Sequence, residues 1–313
     1  MSQPTVIVFG PTGNIASFAA TTAHSHNAKV ILAMRDPSKS IPGLTQDQEK
    51  SGSYTRIQAD LTKPDTVTKA VQSTNATRAL IYLAHGSQDH MRSTLEALKS
   101  AGITFVVFIS SFTIGAANDS GEAKDVTPPD VIAYVHAQVE LSLDAVFGAE
   151  NYVAIRPGNF ATNLLQNKDG IVAGEVKLYG GDFLTDNITP IDMGTVSGTI
   201  LATQTGPKDK QDKVYLFGPQ VISIADSIRL VGKVLNKEVK ITTIGPDEAR
   251  EQFEKNHMPK PFADYMVKKL GEEQNESKER PKYREGVDNV ERYTGRKATG
   301  LEDWVRDNKE LFA

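Results

Sequence analysis

The sequence predicts an α/β fold: a doubly wound parallel sheet with helices on both faces and a smaller C-terminal lobe. Three observations predict it. Apolar, largely β-branched runs alternate with helical patterns over the first half of the chain, as a parallel sheet with crossover helices requires. A glycine-punctuated turn, Gly10-Pro11-Thr12-Gly13-Asn14-Ile15-Ala16, follows the first of those runs directly. After Arg156-Pro157-Gly158 the alternation loosens, and 159–181 is broken by glycines.

Thr5-Val6-Ile7-Val8-Phe9 reads as a strand buried on both faces. Further strands are expected at 30–34, 54–59, 79–83, 104–109 and 152–155, with helices at 15–24, 64–71, 90–101 and 131–147 between them. The third helix ends at Gly102, as a C-cap does, and Thr62 with Pro64 and Asp65 resembles an N-terminal cap. Beyond the loosened stretch, 192–202, 214–217 and 224–235 resume the alternation. Residues 248–282 form a charged helical region, of which 268–282 reads as a solvated helix and mobile loop. Residues 301–312 form a short amphipathic helix that packs the single tryptophan, Trp304, against the body.

Composition narrows the function classes. The 313 residues carry 35 basic and 39 acidic side chains with no basic patch, which argues against nucleic acid or a membrane surface as partner. Cysteine is absent, so disulfides, thiolate nucleophiles and cysteine metal sites are excluded. The six histidines are scattered, and His24 with His26 reads as a solvated face rather than a metal site. No apolar run approaches the roughly 20 residues that cross a bilayer. A soluble, cytoplasmic protein is expected, a monomer or homodimer acting on a small molecule.

The glycine turn sits where a Rossmann-type sheet meets a dinucleotide. Gly10 permits the tight turn, Gly13 lets backbone approach a pyrophosphate, and the helix N-terminus offers free N–H groups to the phosphates. Gly10, Thr12, Gly13, Asn14 and Ile15 are therefore cofactor-binding candidates, joined by Leu61, Ala84 and Ser110 at the ends of later strands. Arg35 ends the second strand, where an arginine pairs with the 2′-phosphate of NADP(H), and Ser38 and Lys39 add donors. Asp36 either takes the ribose or caps a helix starting at Pro37. Asp60 either accepts from the adenine amino group or caps a turn, and His85 borders the ribose or sits in a plain loop.

Ser110-Ser111-Phe112-Thr113 and Tyr134-Val135-His136-Ala137-Gln138 fall where short-chain dehydrogenases carry a serine and Tyr-x-x-x-Lys. Gln138 stands in the lysine's place, and an uncharged amide does not depress the tyrosine pKa, so ordinary Tyr/Lys proton chemistry is not expected. Taken together, these residues resemble the NmrA-like branch of the atypical short-chain dehydrogenase/reductase superfamily, near its NADPH quinone reductase-like members. The matching pieces are 10–16, Arg35-Asp36-Pro37, Ala59-Asp60-Leu61, His136 to Glu140, 156–163, Asp192-Met193-Gly194, and 293–296 with Trp304.

The resemblance covers nearly the whole chain. It implies a Rossmann domain over 1–157 and mainly a substrate-binding lobe over 158–313, with about 189–217 returning to the body. Its members include NADPH-dependent quinone and triphenylmethane reductases and NADP-sensing regulators without turnover. It implies hydride transfer from NADP(H) to a quinone, enone or similar apolar, conjugated molecule, with a redox sensor as the alternative. His136 and Tyr134 are the catalytic candidates, with Glu140 on the face of His136 holding it or closing the helix against the body. Pro157 and Gly158 would pass the nicotinamide, while Phe112, Phe160 and Asn163 would line the substrate side.

Overall fold

A computed structural model describes residues 3–118, 120–272 and 280–312. Its body is a seven-stranded, wholly parallel sheet. The strands are β1 (Thr5–Phe9), β2 (Lys29–Met34), β3 (Thr55–Gln58), β4 (Arg78–Tyr82), β5 (Phe105–Ile109), β6 (Tyr152–Pro157) and β9 (Lys213–Leu216), in the order β3-β2-β1-β4-β5-β6-β9. Two small sheets lie outside it. β7 (Glu175–Leu178) pairs in parallel with β11 (Lys240–Thr243), and β8 (Leu184–Thr185) pairs antiparallel with β10 (Ile222–Ser223).

Because side chains alternate across a strand, β1 sends Val6 and Val8 to one core and Ile7 and Phe9 to the other. The first core lies under α1 (Asn14–Ser25) and α8 (Pro190–Thr203), and the second under α3 (Pro64–Thr74), α4 (Arg92–Ala101) and α6 (Val131–Phe147). The short helices α2 (Gln46–Ser51), α5 (Thr113–Ala116) and α7 (Lys168–Ala173) occupy connections. α1 and α8 touch through backbone. A Cβ at Gly194 would stand 2.5 Å from the Ile15 carbonyl oxygen, and one at Gly198 equally close to that of Ala19. The helix that follows the glycine turn is thereby fixed from behind.

The remaining helices build the C-terminal part. α9 (Ile224–Val234) packs with Trp304 and Phe312 on a third apolar cluster, while α10 (Pro246–Lys255) and α11 (Lys260–Gly271) stand against each other above the sheet's carboxyl edge. Trp304 is buried, as its amphipathic segment predicts. Of the charged stretch 268–282, residues 273–279 lie outside the described residues. Unforeseen from the sequence, the helix Tyr283–Thr294 packs on β9 and α8 in the first core.

Three local expectations are corrected. Thr62 does not cap α3; its N–H and hydroxyl both donate to Asp60 Oδ1 (2.9 and 2.8 Å), closing a turn before the helix. Asp36 starts no helix, because Ser38 N–H and Oγ donate to its Oδ1 (3.0 and 2.6 Å) in another such turn. His24 is no solvated face. It lies in the last turn of α1, stacks on Tyr54 and has Nε2 2.8 Å from the Gly52 carbonyl oxygen.

Candidate functional site

The strand order reverses between β1 and β4, and a cleft of about 510 Å³ opens there at the strands' carboxyl ends. Gly10 turns the chain at φ +67°, a left-handed conformation, and Tyr82 lies so close that a Cβ at Gly10 would come within 2.6 Å of its ring. Gly13 then precedes α1 in extended conformation with no side-chain cap. The N–H groups of Thr12, Asn14, Ile15 and Ala16 have no partner among the described residues. Free donors at a helix N-terminus, beside a floor without a side chain, fit a dinucleotide's pyrophosphate.

Gly10, Thr12, Gly13, Asn14, Ile15, His85 and Ser110 all line this cleft. Arg35 and Asp60 stand outside its wall on the rim beside Tyr82. The positive charge of Arg35 opposes the burial that pushes the Tyr82 hydroxyl above its ordinary pKa. Partial burial pushes the Asp60 carboxyl up, but the Thr62 hydrogen bonds and the nearby Lys63 and Arg35 outweigh it and hold it below the usual range. The Arg35 guanidinium makes no hydrogen bond or ion pair among the described residues. Asp36 and the Ser38 hydroxyl, by contrast, are engaged with each other. Arg56 was not singled out from the sequence. It is paired with Glu49 at 2.6 Å and donates to the carbonyls of Pro37 and Lys39, which pins the loop after Arg35.

Leu61 and Ala84 do not face the cleft. Leu61 is buried in the second core and its carbonyl accepts from Thr94 Oγ1; Ala84 is buried with its N–H directed at Met91 Sδ. Each turned inward because the chain must re-enter the core where its strand ends.

A second cavity, of about 480 Å³, lies beyond β5 and β6 under α10 and α11. Ser110, His136 and Phe160 line both spaces, so cleft and cavity meet at these three side chains. Pro157, Gly158, Phe112 and Asn163 line the second cavity. Phe262 of α11 meets His85 edge-on across the opening, with ring centroids 6.3 Å apart.

His136 is held by its own helix. Nδ1 lies 2.8 Å from the Ile132 carbonyl oxygen, which can only accept, so Nδ1 carries the proton and Nε2 keeps a lone pair. Burial holds its pKa below 6.5, against the Ile132 bond and the charge of Glu140, so the ring is neutral at pH 7. Tyr134, two positions earlier, is turned about 200° around the helix. It lines neither space and packs edge-on against His90.

Glu140 does not hold His136. It forms a two-pronged ion pair with Arg156 (Oε2–Nη2 2.6 Å, Oε1–Nε 3.0 Å), both side chains at most 3% exposed. Burial alone would lower the Arg156 pKa, but the Glu140 charge and hydrogen bonds raise it above its ordinary value. Arg156 Nη1 also donates to Tyr215 OH and the Gly121 carbonyl. Ser110 Oγ donates to Glu140 Oε1 at 2.6 Å, so its own proton points into this network. The junction of the two spaces thus presents lone pairs, from Ser110 and His136.

A further anchor sits beneath Gly158, where a Cβ would stand 2.4 Å from the carboxylate of Asp186. Asp186 is fully buried, accepts from the N–H groups of Asn159 (2.9 Å) and Gly218 (3.0 Å), and faces Arg280 Nε at 3.8 Å. It holds the turn that delivers Phe160 to the junction. An acidic residue inside the otherwise uncharged run Leu184-Thr185-Asp186-Asn187-Ile188 is the signal that could have found it.

Residues 10–202 match the family described as NAD(P)H-binding. The nitrogen metabolite regulation-like protein bik4 of Gibberella fujikuroi is 32% identical over 96% of this chain and 95% of its own length. Among solved structures, an NADPH-dependent quinone oxidoreductase from Escherichia coli superimposes with a TM-score of 0.70 at 19% identity, covering 99% of this chain and all of its own. Nmra, a negative transcriptional regulator, does so at 0.71 and 16% identity, covering 99% and 97%. Among the described residues no helix is long and apolar enough to cross a membrane.

Proposed function

The chain belongs to the NAD(P)H-binding family, in its NmrA-like branch, and from that premise we propose that it is an NADPH-dependent oxidoreductase acting on a quinone, enone or similar conjugated small molecule. The observation that carries this reading is the meeting of the dinucleotide cleft with a largely apolar cavity at Ser110, His136 and Phe160. When bound, the nicotinamide supplies the hydride. The backbone of Gly13 to Ala16 holds the phosphates, Arg35 faces the 2′-phosphate, and Phe112, Phe160 and the α10–α11 roof exclude water from the acceptor. The quinone oxidoreductase named above supports the reading by likeness of fold.

A neutral His136 accepts a hydrogen bond at Nε2 and donates a proton there only once protonated. A quinone needs little such help; an enone or ketone needs more. With an enone, kcat is expected to rise as pH falls from about 8 through the His136 pKa below 6.5, and His136→Ala should flatten that profile. General acid assistance of this kind is worth about 10²–10⁴-fold. A pH-independent wild type, or a larger loss from Tyr134→Phe than from His136→Ala, would overturn this role.

Cofactor choice is tested at Arg35. Arg35→Ala is expected to weaken NADPH by about 1.5–3 kcal/mol, the worth of a hydrogen bond to a charged group, and to leave NADH unchanged. Equal affinity of the wild type for both cofactors defeats the assignment.

The lone pairs at the junction, and a relative named for regulation, favour one other reading: a redox sensor that binds NADP(H) without turnover. NADPH oxidation followed across a panel of quinones and enones decides between them. Oxidation with any of these supports the reductase. NADPH binding with no oxidation by any of them supports the sensor.

A further inference from the structure

The second cavity, largely apolar, is polar at one end. Its inner part is walled by Phe112, Phe160, Leu164 and Phe183. Its outer part is lined by five carboxamides: Asn163, Gln166 and Asn167 on the 3₁₀ helix Ala161–Asn167, and Gln252 and Asn256 at the end of α10. None of the five side chains makes a hydrogen bond among the described residues. Gln166, Asn167, Gln252 and Asn256 also line an adjoining outer groove of about 250 Å³, so they stand at the mouth.

Charge is sparse in this lining. Among the described residues no carboxylate lines the cavity, and the one lysine or arginine that does, Lys177, is already paired with Glu248 at 3.0 Å. An amide both donates and accepts without carrying charge. A mouth of unpaired amides matches oxygens that are themselves uncharged. A ligand without such groups strips water from the amides and returns nothing. An anion meets no unpaired cation among the described residues of the cavity itself, Lys255 belonging to the outer groove.

We infer that the site takes an uncharged fused-ring aromatic molecule whose end remote from the reduced ring carries hydroxyl or carbonyl oxygens. The reducible ring lies at Ser110, His136 and Phe160, and the oxygenated end lies between the 3₁₀ helix and α10. The orientation rests on the oxidoreductase reading; the preference for uncharged oxygen rests on the amides and on the pairing of Lys177.

Calorimetry on the full chain loaded with NADP⁺ tests this with three probes of one size: 6-methyl-, 6-hydroxymethyl- and 6-carboxy-1,4-naphthoquinone. The hydroxymethyl probe is expected to bind about tenfold tighter than the methyl probe, the range of one or two neutral hydrogen bonds, with the carboxylate weakest. Gln252→Leu with Asn167→Leu should erase the hydroxymethyl advantage and leave the methyl probe unchanged. Gln252→Lys should gain affinity for the carboxylate, a result that misfolding does not produce. Equal binding of the methyl and hydroxymethyl probes, tightest binding of the carboxylate, no binding of any probe, or selectivity untouched by the leucines would overturn the inference. Parallel assays of NADPH oxidation keep the two readings apart. Selective binding without oxidation removes the reductase and leaves the ligand class, whereas oxidation without selectivity does the reverse.

Discussion

Glu140→Ala is expected to cost about 3–5 kcal/mol of stability, the usual result of removing one partner from a buried ion pair. The loss is large because of what stays behind. Arg156 would keep its charge with only Tyr215 and the Gly121 carbonyl to meet it, and the Ser110 hydroxyl would lose its acceptor. Urea unfolding measures it as a lower midpoint at unchanged slope. Removing both charges together, as Glu140→Leu with Arg156→Met, should recover much of the loss, because apolar replacement of a buried pair is often neutral. A single-variant loss under about 1 kcal/mol, the scale of an exposed pair, would show that water reaches the network.

Gly13→Val is expected to weaken NADPH more than about 100-fold, or some 2.7 kcal/mol, in a protein that still folds. At φ −88° and ψ 149° any residue is comfortable, and the new Cβ would meet only the Gly10 carbonyl oxygen at 3.4 Å. The rest of the valine stands where backbone must approach the pyrophosphate. Gly10→Ala separates the two roles of the turn. Its φ of +67° and the Tyr82 ring at 2.6 Å should make that variant lose stability as well as cofactor. Fluorescence titration with NADPH beside a thermal melt reads both, and tight NADPH binding by a folded Gly13→Val protein would refute the cleft.

What periodicity encodes was legible. β1 and α6 fall at the residues expected, and the glycine turn and the cleft behind it follow from a strand end; Phe112, Phe160 and Asn163, which line the second cavity, come from the family resemblance instead. The helix Tyr283–Thr294 escaped because its buried face is Gly286, Asn289, Val290 and Tyr293, a set with little apolar signal. Gly286 is buried there because a Cβ would strike the ring of Phe217, a contact that no local pattern announces. The same holds for the site. The sequence offers Glu140 as a support for His136 or a closure of its helix against the body and assigns Arg156 no role; only the packing of β6 beside α6 pairs the two, 16 residues apart. Tyr134 attracted attention by motif, whereas helix geometry alone keeps it from the face of His136.

Asp186, the anchor under Gly158, binds the proton more tightly folded than unfolded. Burial lifts its carboxyl to about 6 from 3.8, against the Asn159 and Gly218 N–H groups and Arg280. A raised carboxyl stabilises the fold fully below pH 3.8, and that contribution is withdrawn as pH rises through about 6. A rise of that size is worth about 3 kcal/mol, so folding near pH 5 draws close to one proton from solution at this residue alone. At pH 7 the turn that delivers Phe160 is therefore held by a carboxylate whose ionisation opposes folding, and the molecule keeps that geometry at the expense of its own margin of stability.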